Sequence, residues 1–160
     1  MVELSMDDLF KITVDVAGAK KVEEDNLLPD GTYTTVPPLV AAPGRSKDGR
    51  EYVRLFGSVV LGEAQKKMGY SLSWQRRNRK TKNQDGSFTD LGTPDNMSLL
   101  WAQAVTAYRQ VYQQEPESIG QVIAYLRDYP HRIRVGKIGT GPNAQGSPGN
   151  MVFSLSAIIA

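Results

Sequence analysis

The stretch Gly44–Lys82, GRSKDGREYVRLFGSVVLGEAQKKMGYSLSWQRRNRKTK, decides how the rest of the chain is read. Between Glu51 and Leu61, Val53, Leu55, Val59 and Leu61 fall on one side and Tyr52, Arg54, Phe56 and Ser58 on the other. That period of two is the signature of a half-buried strand. An arginine between two rings argues against a wholly apolar second face, so Tyr52, Arg54 and Phe56 are expected to be displayed. A further strand is expected from Tyr70 to Arg76, after a short connection over 62–69. Its Tyr70-x-Leu72-x-Trp74 side reads equally as core packing and as a stacking surface. Residues 45–82 hold 11 of the chain's 19 Lys+Arg and only 3 of its 17 Asp+Glu. Cations interleaved with aromatic rings on sheet-forming sequence are what a surface needs to hold unpaired nucleic acid.

The formal net charge of +2 conceals this concentration. Residues 1–44 carry a net −5, residues 45–82 a net +8 and residues 83–160 a net −1. A local field of that kind attracts a polyanion more strongly than the same charge spread evenly. With 160 residues the chain fits one domain with a real core. It has no cysteine, which removes disulfides, thiolate nucleophiles and cysteine-based zinc sites. No apolar run approaches the roughly 20 residues needed to span a bilayer, so no membrane is expected. The acidic start, with Glu3, Asp7 and Asp8, does not resemble a secretory signal, and a cytoplasmic setting is expected.

Phe10, Ile12, Val14 and Val16 alternate with polar residues, which reads as an N-terminal strand. Residues 1–27 could form an extra edge strand or an arm that makes a homodimer. Leu28-Pro29-Asp30-Gly31 is a turn, followed by a β-branched strand from Thr32 to Val40. Pro37-Pro38 must bend it, bulge it or place it at an edge. Asp48-Gly49 marks a hairpin-type connection. Residues 76–93 read as a long basic loop that could close over a ligand with Phe88. Residues 94–129 form a helical insert: capping residues precede Met97, and apolar residues recur at spacings of three and four up to Pro116 and again from Ile119 to Leu126. Trp101, Tyr108 and Tyr112 lie on that apolar stripe and are assigned to the core. His131 to Ile138 returns to strand with Arg132 and Arg134 on one face, 139–150 is a glycine- and proline-rich loop, and Met151 onward is a last strand.

Strand, strand, strand, helical insert, strand, strand is the element order of an OB-fold. That is a mainly β, five-stranded Greek-key barrel with helices between strands 3 and 4. The wording adds to it. Leu28-Pro-Asp-Gly-Thr-Tyr, then Ser46-Lys-Asp-Gly-Arg-Glu-Tyr-Val-Arg-Leu, then Tyr70-Ser-Leu-Ser-Trp resembles the single-stranded DNA-binding proteins of bacteriophages. In that family a P-x-G-x-Y strand meets an S-K-x-G-x-x-Y strand. The resemblance covers residues 28–80 and implies one OB-fold domain over 1–160, in the cytoplasm of a host cell, acting in replication or recombination. Members of the family commonly end in a disordered acidic tail that recruits other proteins. This sequence ends in Ser156-Ala-Ile-Ile-Ala, so recruitment by that route is not expected.

Catalysis has little support. His131 is the lone histidine, carboxylates are scattered, and no pattern points to a metal-dependent nuclease. Gly139-Thr-Gly-Pro-Asn-Ala-Gln-Gly lacks the Gly-Lys-Ser/Thr of a phosphate loop and precedes a strand. No enzyme and no cofactor are expected. The expected activity is sequence-independent binding of single-stranded DNA. Tyr52 and Phe56, with Trp74 and Phe88, would stack bases. Arg54, Arg76, Arg77, Arg79, Lys80 and Lys82 would meet phosphates, with Arg45, Lys47, Arg132 and Arg134 extending the track. A phage assembly module that uses the basic patch on a protein, and an RNA-binding OB-fold, are the alternatives.

Overall fold

The computed structural model describes residues 5–13, 27–47, 49–75, 80–86, 88–90, 95–140 and 148–159. In chain order these form α1 (Met6–Lys11), β1 (Gly31–Arg45), β2 (Glu51–Leu61), β3 (Ala64–Leu72), β4 (Lys80–Lys82), β5 (Phe88–Asp90), α2 (Asn96–Tyr112), α3 (Ile119–Asp128), β6 (His131–Ile138) and β7 (Gly149–Ala157). Five strands make one antiparallel sheet in the order β3-β2-β1-β6-β7. Leaving aside the short β4–β5 pair, the fourth strand of the sheet lies beside the first, which is Greek-key connectivity.

Two tight turns build the β1-β2-β3 meander. Gly49 takes φ +80° between β1 and β2, and the Ser46 N–H donates to the Arg50 carbonyl at 2.9 Å to close that loop. Gly62 takes φ +60° in the two-residue turn where Leu61 pairs with Ala64. These are backbone positions that side chains with a Cβ resist. The second turn corrects the sequence reading. Residues 64–69 are strand and not a connection, because pairing with β2 supplies an order that Gln65, Lys66 and Lys67 do not advertise by alternation.

Pro37 and Pro38 produce the expected irregularity: the β1–β2 register shifts between Val36 and Val40. Before the prolines, Gly31 to Thr34 also pair with β6, whereas from Val40 onward β1 is paired to β2 alone. A strand that lacks two ladder donors cannot stay flat in mid-sheet, and here it breaks with one neighbour.

One core fills the inner face. Leu55 of β2, Leu72 of β3, Leu100 of α2 and Leu126 of α3 are all fully buried in it. Each contributes about 1.5–3 kcal/mol of transfer free energy. Helix α2 starts at Asp95, whose carboxylate accepts from the Ser98 N–H at 3.1 Å, and α3 at Ser118, whose hydroxyl accepts from the Gln121 N–H. The Asp95 carboxylate also meets the Arg50 guanidinium at 2.7 Å, with the Arg50 side chain 8% exposed. Burial opposes ionisation of Asp95, but Arg50 and the Ser98 N–H outweigh it and hold the carboxyl below its ordinary range.

The sheet is not closed into a barrel, and α2 shows why. It packs against both edge strands, β7 and β3. Its Asn96 Nδ2 donates to the Val152 carbonyl (3.1 Å), and its Gln103 Oε1 accepts from the Leu155 N–H (2.8 Å). On the other edge the Ser73 N–H donates to the Met97 carbonyl at 3.1 Å. The helix thus takes up edge groups that a β3–β7 pairing would need, and an edge covered this way is not free to pair.

Two further expectations change. Met6–Lys11 is a helix with a Ser5–Asp8 capping box, so Phe10 is not part of a strand, and Val14 and Val16 lie outside the described residues. Helix α1 buries none of its residues. Within 76–93, Lys80–Lys82 and Phe88–Asp90 pair as a small antiparallel hairpin and are not an irregular loop.

Candidate nucleic-acid interface

The outer face of the sheet is set by the alternation of β2. With Val53, Leu55 and Val59 turned into the core, Arg54 and Phe56 are left exposed and Tyr52 half-buried. The two rings are held by glycines directly opposite them in the ladders. Gly44 pairs with Tyr52, and a Cβ placed on Gly44 would lie 2.7 Å from the ring's Cζ. Gly69 pairs with Phe56, and a Cβ there would lie 2.8 Å from the ring's Cδ2 and 2.8 Å from an Arg54 Nη. Neither glycine has positive φ. They are needed for space: the missing side chain lets a ring and a guanidinium lie across the neighbouring strand.

At the β1–β2 turn end, Pro43, Gly44, Arg45, Glu51, Tyr52 and Trp74 line a cleft of about 410 Å³. Trp74 is half-buried there and sits edge-on to Trp101 of α2, with ring centroids 5.9 Å apart. The cleft wall is fixed from behind. The Ser73 hydroxyl donates to the Glu51 carbonyl (2.6 Å), and the Gln75 Oε1 accepts from the Glu51 N–H (2.8 Å). Arg45 faces Glu51 at 3.2 Å, both well exposed, so this ion pair holds Arg45 weakly.

From the cleft the exposed cations continue diagonally across the sheet. Arg54 stands opposite Ala42 and Ser71, and Lys67 opposite Ser58. The track then crosses β1: Thr34 pairs with Val60 on one side and Arg132 on the other, and Thr32 pairs with Arg134. Arg132 and Arg134, remote in sequence, therefore share the face with Arg54, and all three are exposed. Glu51 and Asp30 stand at the two ends of this track.

The other expected members fall elsewhere. Lys47 is exposed in the β1–β2 turn. Lys80 and Lys82 lie on β4 and Phe88 on β5, in the separate hairpin where Lys82 pairs with Phe88. Arg76, Arg77 and Arg79 lie outside the described residues. Tyr70 is buried, which assigns it to the core. Trp74 is shared between core and cleft. His131 is fully buried and takes no part in this face.

Sequence reasoning missed Val40, 65% exposed opposite Phe56, as well as Lys67 and Phe153. Gly69, opposite Phe56, would have been the signal for the β2–β3 pairing that brings Lys67 onto this face, had the register been known. Nothing in the period of β7 marks Phe153. Among the described residues no group of three His, Cys, Asp or Glu is placed to hold a metal ion, and no helix is long and apolar enough to cross a membrane. Compared with known protein families, curated proteins and solved structures, the chain matches none of them.

Proposed function

We propose that this protein binds single-stranded DNA without sequence preference across the outer face of its sheet. It would act as an OB-type module protecting DNA strands in phage replication or recombination. The observation that carries the reading is the pair of rings, Tyr52 over Gly44 and Phe56 over Gly69, flanking the exposed Arg54. Rings already laid across the sheet lose little freedom when a base stacks on them. Each stacked base contributes about 1–3 kcal/mol and tolerates any sequence, because every base has a π-face. Arg54, Lys67, Arg132 and Arg134 supply the phosphate contacts. Greek-key order with helices inserted before the fourth strand of the sheet supports the OB-fold reading, with α2 standing where the barrel is open.

A gel-shift competition between single-stranded and duplex oligonucleotides of one sequence tests this. Single strands should win clearly, since a duplex keeps its bases stacked on one another. An RNA oligonucleotide in the same assay decides between DNA and RNA.

A second reading draws on α1 and the residue that follows it, where Met6, Leu9, Phe10 and Ile12 are exposed, Phe10 at 82%. These side chains suit a protein contact in an assembly module or homodimer. A protein of that kind would oligomerise without DNA and would not discriminate single strands from duplex.

A further inference from the structure

Phe153 stands on the last strand beside Val152 and close to Leu155, both buried, yet it is 39% exposed. The cause is a bulge. Arg134 pairs with Ser154 and Val135 with Val152, so Phe153 is the extra residue on β7 with no partner on β6. Bulges re-aim side chains, and this one turns Phe153 out of the core between the buried Val152 and Leu155. Its ring lies over Gly136, where a Cβ would run into it. Gly136 does not have positive φ, so here too the glycine makes room for a ring. This is the arrangement found at Tyr52–Gly44 and Phe56–Gly69, repeated at the far end of the cation track.

Around Phe153 the residues Asp30, Thr32, Arg134, Gly136 and Lys137 line a pocket of about 360 Å³. Arg134 and Lys137 are exposed cations beside an exposed ring. Asp30 is the carboxylate of the pocket, and its Oδ1 accepts from the Lys137 N–H at 3.1 Å. We infer that Phe153, Arg134 and Lys137 form a second nucleotide subsite, in which a base stacks on the Phe153 ring and its phosphate meets the two cations. The subsite rests on the single-strand-binding reading and extends it. At strand spacings near 4.8 Å and about 3.3 Å per residue, Phe56 and Phe153 lie roughly 25 Å apart along the sheet surface. One strand must therefore span several nucleotides to reach both.

Fluorescence anisotropy with labelled oligothymidylates of about 4 to about 16 nucleotides tests it, on wild type, Phe153→Ala and Phe153→Tyr. Phe153→Ala should match wild type on the shortest oligonucleotides and bind the longest about 5- to 100-fold more weakly, the loss of one stacked base. Phe153→Tyr keeps a ring and should retain wild-type binding at every length. Identical curves for wild type and Phe153→Ala at all lengths would remove the subsite and leave the parent reading standing. An equal loss at every length would mean that Phe153 supports the fold or the primary site, which also overturns a separate subsite. A wild type that binds no oligonucleotide would remove the parent reading and the subsite with it.

Discussion

The Phe56 ring lies over Gly69, its direct partner in the β2–β3 ladder, and the Arg54 guanidinium reaches over the same glycine. One absent side chain thus positions both a stacking group and a cation. Gly69→Ala would place a Cβ 2.8 Å from each of them. The Arg54 Nη is the far end of a flexible chain and can swing away. Cδ2, in contrast, is the ring carbon next to Cγ, so the exposed Phe56 ring must turn or lift as a whole, which leaves the buried face of the sheet intact. Thermal stability is expected to change by less than about 1 kcal/mol, since strand interiors tolerate Ala better than Gly. Single-strand affinity should fall several-fold, approaching the loss of about 1–3 kcal/mol expected for Phe56→Ala. Parallel melting curves and anisotropy titrations check both halves.

Glu51 occupies Arg45 at 3.2 Å inside the Tyr52–Trp74 cleft. A phosphate entering there must compete with that carboxylate. Glu51→Gln should raise single-strand affinity a few-fold, in line with about 0–1 kcal/mol for an exposed ion pair. The backbone bonds to Ser73 and Gln75 remain, so stability should hold. An unchanged or weakened affinity would show that Arg45 does not meet the ligand.

His131 makes the fold sensitive to acid. Its Nδ1 lies 3.2 Å from the Tyr129 carbonyl, which can only accept, so Nδ1 carries the hydrogen and Nε2 accepts from the Tyr70 hydroxyl at 2.7 Å. Burial, partly offset by the Tyr129 carbonyl, lowers the imidazole pKa from 6.5 to about 4. Between those values the unfolded chain takes up a proton that the folded chain refuses. Stability linked to His131 is complete above pH 6.5 and decreases as pH falls toward about 4, by roughly 3 kcal/mol in all. Melting temperatures measured from pH 7 to pH 5, above the carboxylate range, should fall steadily. His131→Gln should melt lower at pH 7 and show a flatter profile over that window.

Much of the outer face was legible in β2, because Val53-x-Leu55 and Tyr52-x-Arg54-x-Phe56 alternate without interruption. Pro37-Pro38 announced an interruption of the strand, though not which kind, since two missing donors cannot be hidden in a ladder. The two helices of the insert, α2 and α3, were equally plain from their caps and their spacing of three and four. Other features were not legible for physical reasons. Residues 64–69 carry no alternation, and only pairing with β2 makes them strand. Phe153 reaches the surface through a bulge that shifts the period of β7 by one. Thr34 brings Arg132 beside the β2 face through a long-range register that no local pattern encodes. The short α1 imitates a strand because Phe10 and Ile12 happen to alternate with polar neighbours. The open edge between β3 and β7 depends on Asn96 and Gln103, whose amides look like ordinary helix surface.

The salt dependence of single-strand binding tests the proposed interface most directly. Anisotropy titrations of a labelled oligothymidylate against wild type at increasing salt give the slope of log affinity against log salt. With Arg54, Lys67, Arg132 and Arg134 each neutralising a phosphate, the slope should be about −3 or steeper. Saturable binding with that slope is the predicted result. A slope near zero, or no saturable binding at low salt, would contradict a nucleic-acid interface on this sheet.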